Sequence, residues 1–449
     1  MIRLKVSETS RGLVFVHGRA RYPIDWPAGV WKKLPASFRA VLTDNLAHLL
    51  TIDLPFVRDA SGVELNRRRP CFWAQYRTMV MGGVPQAVET CADRTTKTLE
   101  RFRTFRYEFA GDVPRPLSSQ AWPARERAVV LFSSGKDSLA TLGLAREMGL
   151  DPVPVYVDDT VSPAENRLKR ERVEELRAMG LPAQIVTNRV EQLDGPALRR
   201  GKECGFGRLH RMTALTLLAL PVARAVEARF IALGCEQDMN FSFANKDGFL
   251  TYPSFDRTSG WVLQLDLLTR TLTGGAVRTM SLVEPLTGFA VMKVLLGRYP
   301  DLATLMVSCE SLDASSKARG CGSCPKCARA TLAMLALGAD PASVGLPRSM
   351  MDARDGRYYA VFDGRETDTL DRSAEAKEQQ ELAFHLAIDL GLKGPLARRF
   401  SARCQDRLCR DDLLSKHLAL FPAGTVPSDL RERLLRILRE ATGQMKTLF

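Results

Sequence analysis

The sequence lacks the features that would place the protein in a membrane or outside the cell. Its first residues, Met1 to Lys5, are not followed by an apolar segment with a small-residue cleavage site, so we expect no signal peptide. The longest apolar run, Met212 to Ala223, is bounded by Arg211 and Arg224 and is shorter than the roughly 18 to 20 residues that cross a bilayer. We therefore expect a cytoplasmic protein without a membrane partner.

Internal repeats, low-complexity tracts and the low hydrophobicity of disordered chains are also missing. With 449 residues, 45% hydrophobic and 26% charged, the chain is expected to fold into two or three domains. Its 64 Lys and Arg against 51 Asp and Glu give a net charge of +13, which attracts polyanions. Acidic residues are interspersed among the basic ones, so this charge is compatible with nucleic acid as a partner but does not require it.

The chain divides into three regions by composition. Residues 1–122 contain aromatic and β-branched runs, such as Leu13 to Val16 and Phe102 to Phe109, and predict a β-rich accessory domain that ends in a Pro/Ser-rich linker. Residues 123–340 form the informative central domain. Residues 341–449 predict a helical region, because 375–390 and 430–440 carry apolar residues at spacings of three and four.

The central region alternates short apolar runs with amphipathic stretches. Strands are predicted at 128–132, 152–157, 184–187 and 229–233, and helices at 138–148, from Pro163 to Gly180, and at 208–228. Such alternation is typical of βαβ units. It predicts an α/β fold with an open parallel sheet and helices on both faces.

A candidate phosphate-binding loop follows the first of these strands. Its residues, Ser133, Ser134, Gly135, Lys136, Asp137 and Ser138, are small or polar and lead directly into a helix. Backbone amides at a helix N-terminus, with a lysine beside them, favour a bound phosphate. The glycine spacing of the other common phosphate loop, GxxxxGK[ST], is absent. The alternative is a polar strand-to-helix turn without a ligand.

Four of the ten cysteines are clustered as C-x11-C-x2-C-x2-C, at Cys309, Cys321, Cys324 and Cys327. Four thiolates at such short spacings favour a closed, tetrahedral zinc site that stabilises the fold. Disulfides fit a reducing compartment less well. An iron-sulfur cluster and four unliganded cysteines remain as alternatives.

The loop resembles the SGGxDS signature of the PP-loop ATP pyrophosphatase superfamily, with Ser134 where the family usually has glycine. The resemblance implies that ATP binds with Mg²⁺, that residues 133–138 hold the departing pyrophosphate, and that Lys136, Asp137 and Ser138 are catalytic. Serine at position 134 is tolerated if that residue need not adopt a positive φ.

Combined with the cysteine spacing, the loop makes residues 128–340 similar to the 7-cyano-7-deazaguanine synthase family. Further similarities occur in order along the chain, at Gly207-Arg208, Gly234 to Asp238, Tyr252-Pro253, Pro285-Leu286 with Lys293, and Ser308-Cys309. In that family ATP activates the carboxylate of 7-carboxy-7-deazaguanine as an acyl adenylate, which ammonia then captures.

The resemblance also implies roles for individual residues. Asp158 and Asp159, at the carboxyl end of the second strand, would contact the nucleotide or Mg²⁺. The residues that would bind the deazaguanine substrate are Arg208, Asp238, Tyr252, Asp256 and Lys293. Each of them has the alternative of a loop residue or a hydrogen bond that only supports the fold.

The flanking regions suggest a larger amine acceptor than ammonia. The chain resembles the synthase-like enzymes of the Qat and type IV CBASS anti-phage systems, which join a deazaguanine to the N-terminal amine of a partner protein. Amide formation with a co-encoded protein acceptor is therefore the leading hypothesis. The alternatives are a synthase that uses ammonia, a tRNA-modifying PP-loop enzyme and a non-catalytic ATP-binding defence component.

Overall fold

The computed structural model describes residues 1–117, 122–159, 163–193, 209–307, 309, 319–346, 348–403 and 410–443. The strands in these residues are β1 (Ile2–Glu8), β2 (Gly12–His17), β3 (Ala20–Asp25), β4 (Gly62–Arg68), β5 (Arg106–Gly111), β6 (Arg125–Leu131), β7 (Val153–Asp158), β8 (Gln184–Asn188), β9 (Ala228–Leu233), β10 (Phe243–Ala244), β11 (Leu250–Thr251) and β12 (Arg278–Ser281).

The α-helices in the described residues are α1 (Ala36–Leu49), α2 (Leu54–Val57), α3 (Trp73–Glu89), α4 (Thr95–Thr104), α5 (Lys136–Glu147), α6 (Pro163–Ala178), α7 (Arg211–Ala225), α8 (Ser259–Thr273), α9 (Gly288–Arg298), α10 (Pro300–Ala303), α11 (Pro325–Ala336), α12 (Ala374–Asp389), α13 (Pro395–Arg403), α14 (Arg410–His417) and α15 (Ser428–Gly443).

One mostly parallel sheet of ten strands organises the chain, in the order β12-β9-β6-β7-β8-β3-β2-β1-β4-β5. The predicted strands β6, β7, β8 and β9 are parallel neighbours, and β12 extends them at one edge. At the other edge, β8 pairs antiparallel with β3, where Ile24 lies opposite Asn188. The prediction of an α/β protein with a parallel central sheet is confirmed, and the sheet continues into the N-terminal region.

The two faces of the central sheet belong to two hydrophobic cores, because successive side chains of a strand point to opposite faces. On β6, Val129 and Leu131 face a core formed with the N-terminal region, α7 and α8. Ala128 and Val130 face the other core, which contains residues from α5, α9, α11 and the C-terminal helices. Each flanking region therefore covers one face of the central sheet, and helices lie on both faces as predicted.

The N-terminal region is not β-rich, contrary to the prediction, but a mixture of strands and helices. The helices α1 and α3, of 14 and 17 residues, lie beside five strands of six or seven residues each. The run from Phe102 to Phe109 divides between α4 and β5, since Phe102 is a buried helical residue. Apolar residues at helical spacing in α1, such as Phe38, Leu42 and Leu46, were the signal that the β-branched runs obscured.

The C-terminal region is helical, as predicted. The stretches 375–390 and 430–440 correspond to α12 and α15, which begin and end within a few residues of those limits. Leu382 and Phe384 of α12, with Leu434 and Leu438 of α15, are buried in the same core as the phosphate-loop helix α5. This packing brings the C-terminal region next to the carboxyl ends of the central strands.

One stretch, Ala36–Val57, is long and apolar enough to cross a membrane by length and composition. In its most apolar window, 83% of the residues are buried inside the protein. The stretch comprises α1 and α2, whose residues Leu42, Leu46 and Leu54 pack in the N-terminal core. Its hydrophobicity is thus explained by packing against the protein itself.

Candidate functional site

The loop between β6 and α5 is held in shape by its own hydroxyl groups. Ser138 Oγ donates a hydrogen bond to the carbonyl oxygen of Gly135 at 3.0 Å and accepts one from the backbone N–H of Ser133 at 3.2 Å. Ser138 is buried, whereas Ser133 is exposed at the edge of the loop. These hydrogen bonds within the loop hold Ser133, Gly135 and Ser138 together.

Serine at position 134 was expected to be tolerated if this residue need not adopt a positive φ. In the structure its φ is +60°. This left-handed conformation normally favours glycine. Here the side chain is fully buried, and its hydroxyl donates to the carbonyl oxygen of Leu305 at 2.5 Å. The carbonyl oxygen of Ser134 accepts the N–H of Val307 at 2.8 Å. These two bonds offset the backbone strain and fasten the loop to the segment that leads into Cys309.

The N-terminus of α5 is available to an anion. Its cap residue, Gly135, has no side chain to accept the first-turn amides, whereas Thr258 and Thr287 cap α8 and α9 in that way. The first-turn residues Lys136 and Asp137 line a cavity. Uncapped amides and the helix dipole at such a position favour a phosphate.

This cavity has a volume of about 480 Å³ and is lined by all three regions of the chain. The central region supplies the phosphate loop, the segment from Gly234 to Met239, and the start of α9. Gln86 of α3 comes from the N-terminal region, and Gln379 of α12 comes from the C-terminal region. A volume of this size is typical of sites for small molecules and cofactors.

One lysine and three carboxylates are grouped at the end of the cavity that contains the phosphate loop. Elsewhere the lining includes further basic residues (Lys169, Arg211, Arg257, Lys326 and Arg329) and further acidic ones (Glu165, Asp256 and Asp368). Lys136 forms an ion pair with Asp137, and its Nζ lies 3.4 Å from Oε1 of Glu236. Burial by itself would lower the pKa of Lys136, but Asp137, Glu236 and Asp238 outweigh it and hold this pKa above its ordinary value. Burial and repulsion from Glu236 raise the pKa of Asp238 to about 7. The immediate surroundings of Lys136 are therefore acidic.

Glu236 was not among the predicted site residues, although it lies within the Gly234 to Asp238 motif. Burial, and then repulsion from Asp137, raises its pKa. Its Oε2 is buried and has no hydrogen-bond partner within the described residues. Gly234 lets this segment approach the loop, since a Cβ there would lie 3.0 Å from atoms of Asp137 and Ser138. The sequence motif predicted that this segment belongs to the site. Only the structure shows that Glu236 is the member of the motif with a buried, unpartnered carboxylate oxygen within the described residues.

Asp158 lies at the carboxyl end of β7, as predicted, but it does not line the cavity. Its carboxylate is buried and paired with Arg170 and Arg189, the latter at 3.0 Å. The neighbouring Asp159 binds Arg211, which does line the cavity, at 2.7 Å. In the structure Asp158 is thus engaged by two guanidinium groups away from the phosphate loop.

The predicted substrate residues are divided between different places. Asp238 and Asp256 line the cavity, whereas Tyr252 lines a neighbouring hollow with Phe255 and Trp261. Both carboxylate oxygens of Asp256 are engaged, one by the N–H of Met212 at 2.8 Å and the other by the hydroxyl of Ser254 at 2.9 Å. These bonds fit the alternative of fold support. Arg208 lies outside the described residues.

Lys293 lies in α9 outside the lining of the cavity. It is buried, and its Nζ donates to the carbonyl oxygen of Thr442 in α15 at 2.7 Å. Burial lowers the pKa of Lys293 to about 8. The structure therefore gives this lysine a role in attaching the C-terminal helix, which is the second of the two alternatives stated for it.

We expect Lys293→Met to change how the stability of the protein depends on pH. Because the folded pKa is about 8 and the ordinary value is 10.5, the folded state binds fewer protons between these values, and the wild type gains stability as pH rises through that window. The methionine variant lacks this gain. Thermal unfolding of both proteins from pH 7 to 10 tests the prediction, and a constant difference in Tm would contradict it.

The four clustered cysteines come together as predicted. Their Sγ atoms all lie within 4.8 Å of one another, at Cys309, Cys321, Cys324 and Cys327. Cys309 Sγ accepts the N–H of Cys321 at 3.3 Å, and Cys324 Sγ accepts the N–H of Cys327 at 3.4 Å. No disulfide joins the four, since all are free thiols. Four sulfurs at this separation can hold a metal ion such as zinc.

The comparisons with known proteins leave the chain without an assigned family. No protein-family model matches it, and no curated protein is detectably similar to it.

Proposed function

We propose that the protein adenylates the carboxylate of a 7-deazaguanine, such as 7-carboxy-7-deazaguanine, with ATP and then forms an amide with an amine. The proposed acceptor is the N-terminal amine of a co-encoded partner protein, in a pathway of anti-phage defence. The substrate class is supported by the motifs at Ser133 to Ser138, Gly234 to Asp238 and Cys309 to Cys327, whereas the acceptor is supported by the large flanking regions of the chain.

One observation carries the proposal: an uncapped helix N-terminus with a lysine opens into a cavity at the carboxyl ends of parallel strands. Gly135, Lys136 and Asp137 form this end of the cavity. In open α/β sheets, ligands bind in crevices at this edge of the sheet. A nucleotide triphosphate is the ligand that this arrangement fits best, because the backbone amides and Lys136 both favour phosphate.

The residues of the cavity also fit Mg²⁺ bound with the triphosphate. Mg²⁺ prefers oxygen ligands and is usually held by one or two carboxylates together with substrate phosphates. Asp137 and Glu236 line the cavity, and Glu236 Oε2 is a buried acceptor with no partner in the described part of the chain. These two residues would hold the ion, which would neutralise charge on the phosphates.

The chemistry follows from the inertness of a carboxylate toward amines. In the first step a carboxylate oxygen attacks the α-phosphorus of ATP, and the bond to the β-phosphate oxygen breaks to release pyrophosphate. The amides of α5 and the Lys136 ammonium stabilise the charge on this leaving group. In the second step the amine nitrogen attacks the acyl carbon, AMP leaves, and the nitrogen loses a proton. Positioning of both reactants in one cavity lowers the barrier further.

The involvement of both flanking regions in the cavity supports an acceptor larger than ammonia. Gln86 and Gln379 lie in its walls, although they belong to regions outside the resemblance to the synthase family. An ammonia-dependent enzyme needs no such surface. The partner-protein acceptor nevertheless depends on the likeness to the defence systems, so the experiment must distinguish the acceptors.

The test combines purified protein, Mg-ATP and 7-carboxy-7-deazaguanine and measures the return of labelled pyrophosphate into ATP. We expect exchange that depends on the carboxylate, with none when 7-cyano-7-deazaguanine replaces the acid. AMP release and the intact mass of the partner protein then report the second step, with and without ammonium.

Each outcome has a defined meaning. Carboxylate-dependent exchange with a mass increase on the partner protein supports the proposal. Full turnover with ammonium and no protein identifies the synthase reaction, and exchange that requires tRNA identifies an RNA substrate. Bound ATP without exchange or AMP release identifies a nucleotide-binding component and overturns the proposed chemistry.

A further inference from the structure

The C-terminal region forms one wall of the candidate site. Residues 368–370 and four residues of α12 line the cavity. Three contacts hold this wall in place. Arg329 of α11 pairs with Asp368 at 2.9 Å and with Asp371 at 2.5 Å, and Thr369 Oγ1 donates to the carbonyl oxygen of Pro253 at 2.9 Å. The wall is thereby fixed to α11, the helix that begins at the cysteine cluster, and to Pro253, which also lines the cavity.

The same wall reaches the N-terminal region. Arg372 forms an ion pair at 3.3 Å with Glu89, the last residue of α3, and that helix also supplies Gln86 to the cavity. The N-terminal and C-terminal regions, which are far apart in the sequence, thus contact each other beside the cavity. The C-terminal region can therefore influence the geometry of groups inside it.

Gln379 is the residue of this wall that contacts Asp238 in the described part of the chain. Its Nε2 donates to Oδ1 of Asp238 at 2.9 Å, and its Oε1 accepts the N–H of Phe289 at 3.1 Å. The other oxygen of Asp238 accepts the N–H of Gly288 at 3.0 Å. Since a backbone N–H can only donate, the orientation of the Gln379 amide is fixed. Both oxygens of Asp238 are therefore held in one arrangement at the start of α9.

Such fixing matters because Asp238 lies among charges that would otherwise reorient it. Glu236 is two residues away and repels it, whereas Lys136 attracts it. The fit is close, since a Cβ on Gly288 would lie 2.6 Å from Asp238 Oδ2 and 3.3 Å from Lys136 Nζ. A carboxylate that turned toward the ammonium would compete with a phosphate for it. The hydrogen bond from Gln379 opposes that turn.

We propose that Gln379 is a positioning residue of the active site, through which the C-terminal region holds the Asp238 carboxylate beside Lys136 in the arrangement that leaves the ammonium available to the triphosphate. This inference rests on the proposed function for the identity of the reaction. It makes the C-terminal region a part of the catalytic unit, in addition to any role in binding an acceptor.

The test is a double-mutant cycle on the full chain with Gln379→Met and Asp238→Asn. Methionine keeps the length of the side chain but loses both hydrogen bonds. We expect Gln379→Met to lower kcat for pyrophosphate exchange about 10-fold to 100-fold, with a smaller change in KM for the carboxylic acid. Because Gln379 acts through Asp238, adding Gln379→Met to Asp238→Asn should reduce kcat by less than threefold further.

Controls separate positioning from folding. Gln192→Met changes an exposed glutamine far from the wall in sequence and should leave exchange and Tm unaltered. Gln379→Glu should lower kcat more than Gln379→Met does, since it adds a carboxylate opposite Asp238. The metal content and Tm of each variant must match those of the wild type for its kinetics to count. If the metal content or Tm of one variant differs from that of the wild type, that variant is left out, and the affinities of the other variants for ATP are compared instead.

Two results would overturn the inference: full exchange activity in Gln379→Met, or losses that multiply in the double variant. Failure of the proposed function is recognised separately, because the wild type itself would then show no exchange. In that case the affinity for Mg-ATP, measured by calorimetry, replaces kcat in the cycle. Weaker binding in Gln379→Met that disappears in the Asp238→Asn background would support the positioning role, and independent effects would refute it.

Discussion

Lys136→Ala should abolish measurable pyrophosphate exchange, with a loss of at least roughly a hundredfold to a thousandfold, as is typical when one preorganised group that stabilises transition-state charge is removed. Lys136 is the cation of the loop that faces the cavity and is surrounded by Asp137, Glu236 and Asp238. Without it, the carboxylates would repel the triphosphate. Asp137→Ala should also be inactive, since it removes the acidic residue of the loop that fits Mg²⁺. Isotope exchange at saturating ATP measures both.

The fold should survive these substitutions. The pKa values of Glu236 and Asp238 are already raised, so both carboxyls can take up protons when the neighbouring ammonium is lost. Lys97→Ala, at an exposed position of α4, provides the matched control and should retain full exchange. Substantial exchange by Lys136→Ala, with Tm and metal content unchanged, would exclude the loop as the site of pyrophosphate release.

Cys324→Ser should cause a large loss of stability, because it removes one of the four sulfurs that can hold a metal ion. Structural zinc contributes on the order of 10 kcal/mol in zinc-finger peptides, whereas whole domains are stable by about 5 to 15 kcal/mol. Cys324 also caps α11 by accepting the N–H of Cys327. Serine is itself a favourable cap, so the helix start is preserved and the loss reports on the metal. Thermal unfolding with metal analysis tests this.

A chelator should reproduce the effect on the wild type, which we expect to contain one zinc ion per chain. The comparison variant is Cys71→Ser, because Cys71 lies outside the cluster in the N-terminal region and contacts Asn45. It should keep both its zinc and nearly all of its Tm. Metal-free wild-type protein that melts at the same temperature as the loaded form would show that the four cysteines do not stabilise the fold.

Elements with strong local signals could be predicted from the sequence. The strand predicted at 152–157 is observed at 153–158, and the helix predicted to begin at Pro163 does so. Buried parallel strands read as continuous apolar runs, and helix ends carry their own residue preferences. The cysteine cluster was predictable for the same reason, because three of its four members lie within seven residues.

Features that depend on distant pairing could not be predicted in this way. The N-terminal strands join the central sheet through Ile24 and Asn188, which are 164 positions apart, and no local pattern encodes that register. Gln379 lies in an ordinary amphipathic helix, so only the packed structure brings it to Asp238. The positive φ of Ser134 could not be predicted either, because Leu305, whose carbonyl oxygen accepts the stabilising hydrogen bond from its hydroxyl, lies 171 residues away.

The hydrogen bonds of Ser134 with Leu305 and Val307 connect the candidate phosphate loop to the segment that precedes the cysteine cluster. Val307 is two residues before Cys309, so ATP bound to the loop as proposed would restrain, through these bonds, the chain next to one of the four cysteines that can hold a metal ion. If ATP raises the affinity of the cysteines for the metal by some factor, the metal must raise the affinity of the loop for ATP by the same factor. If both ligands bind as proposed, the rate at which zinc dissociates from the four cysteines should therefore change when ATP occupies the loop.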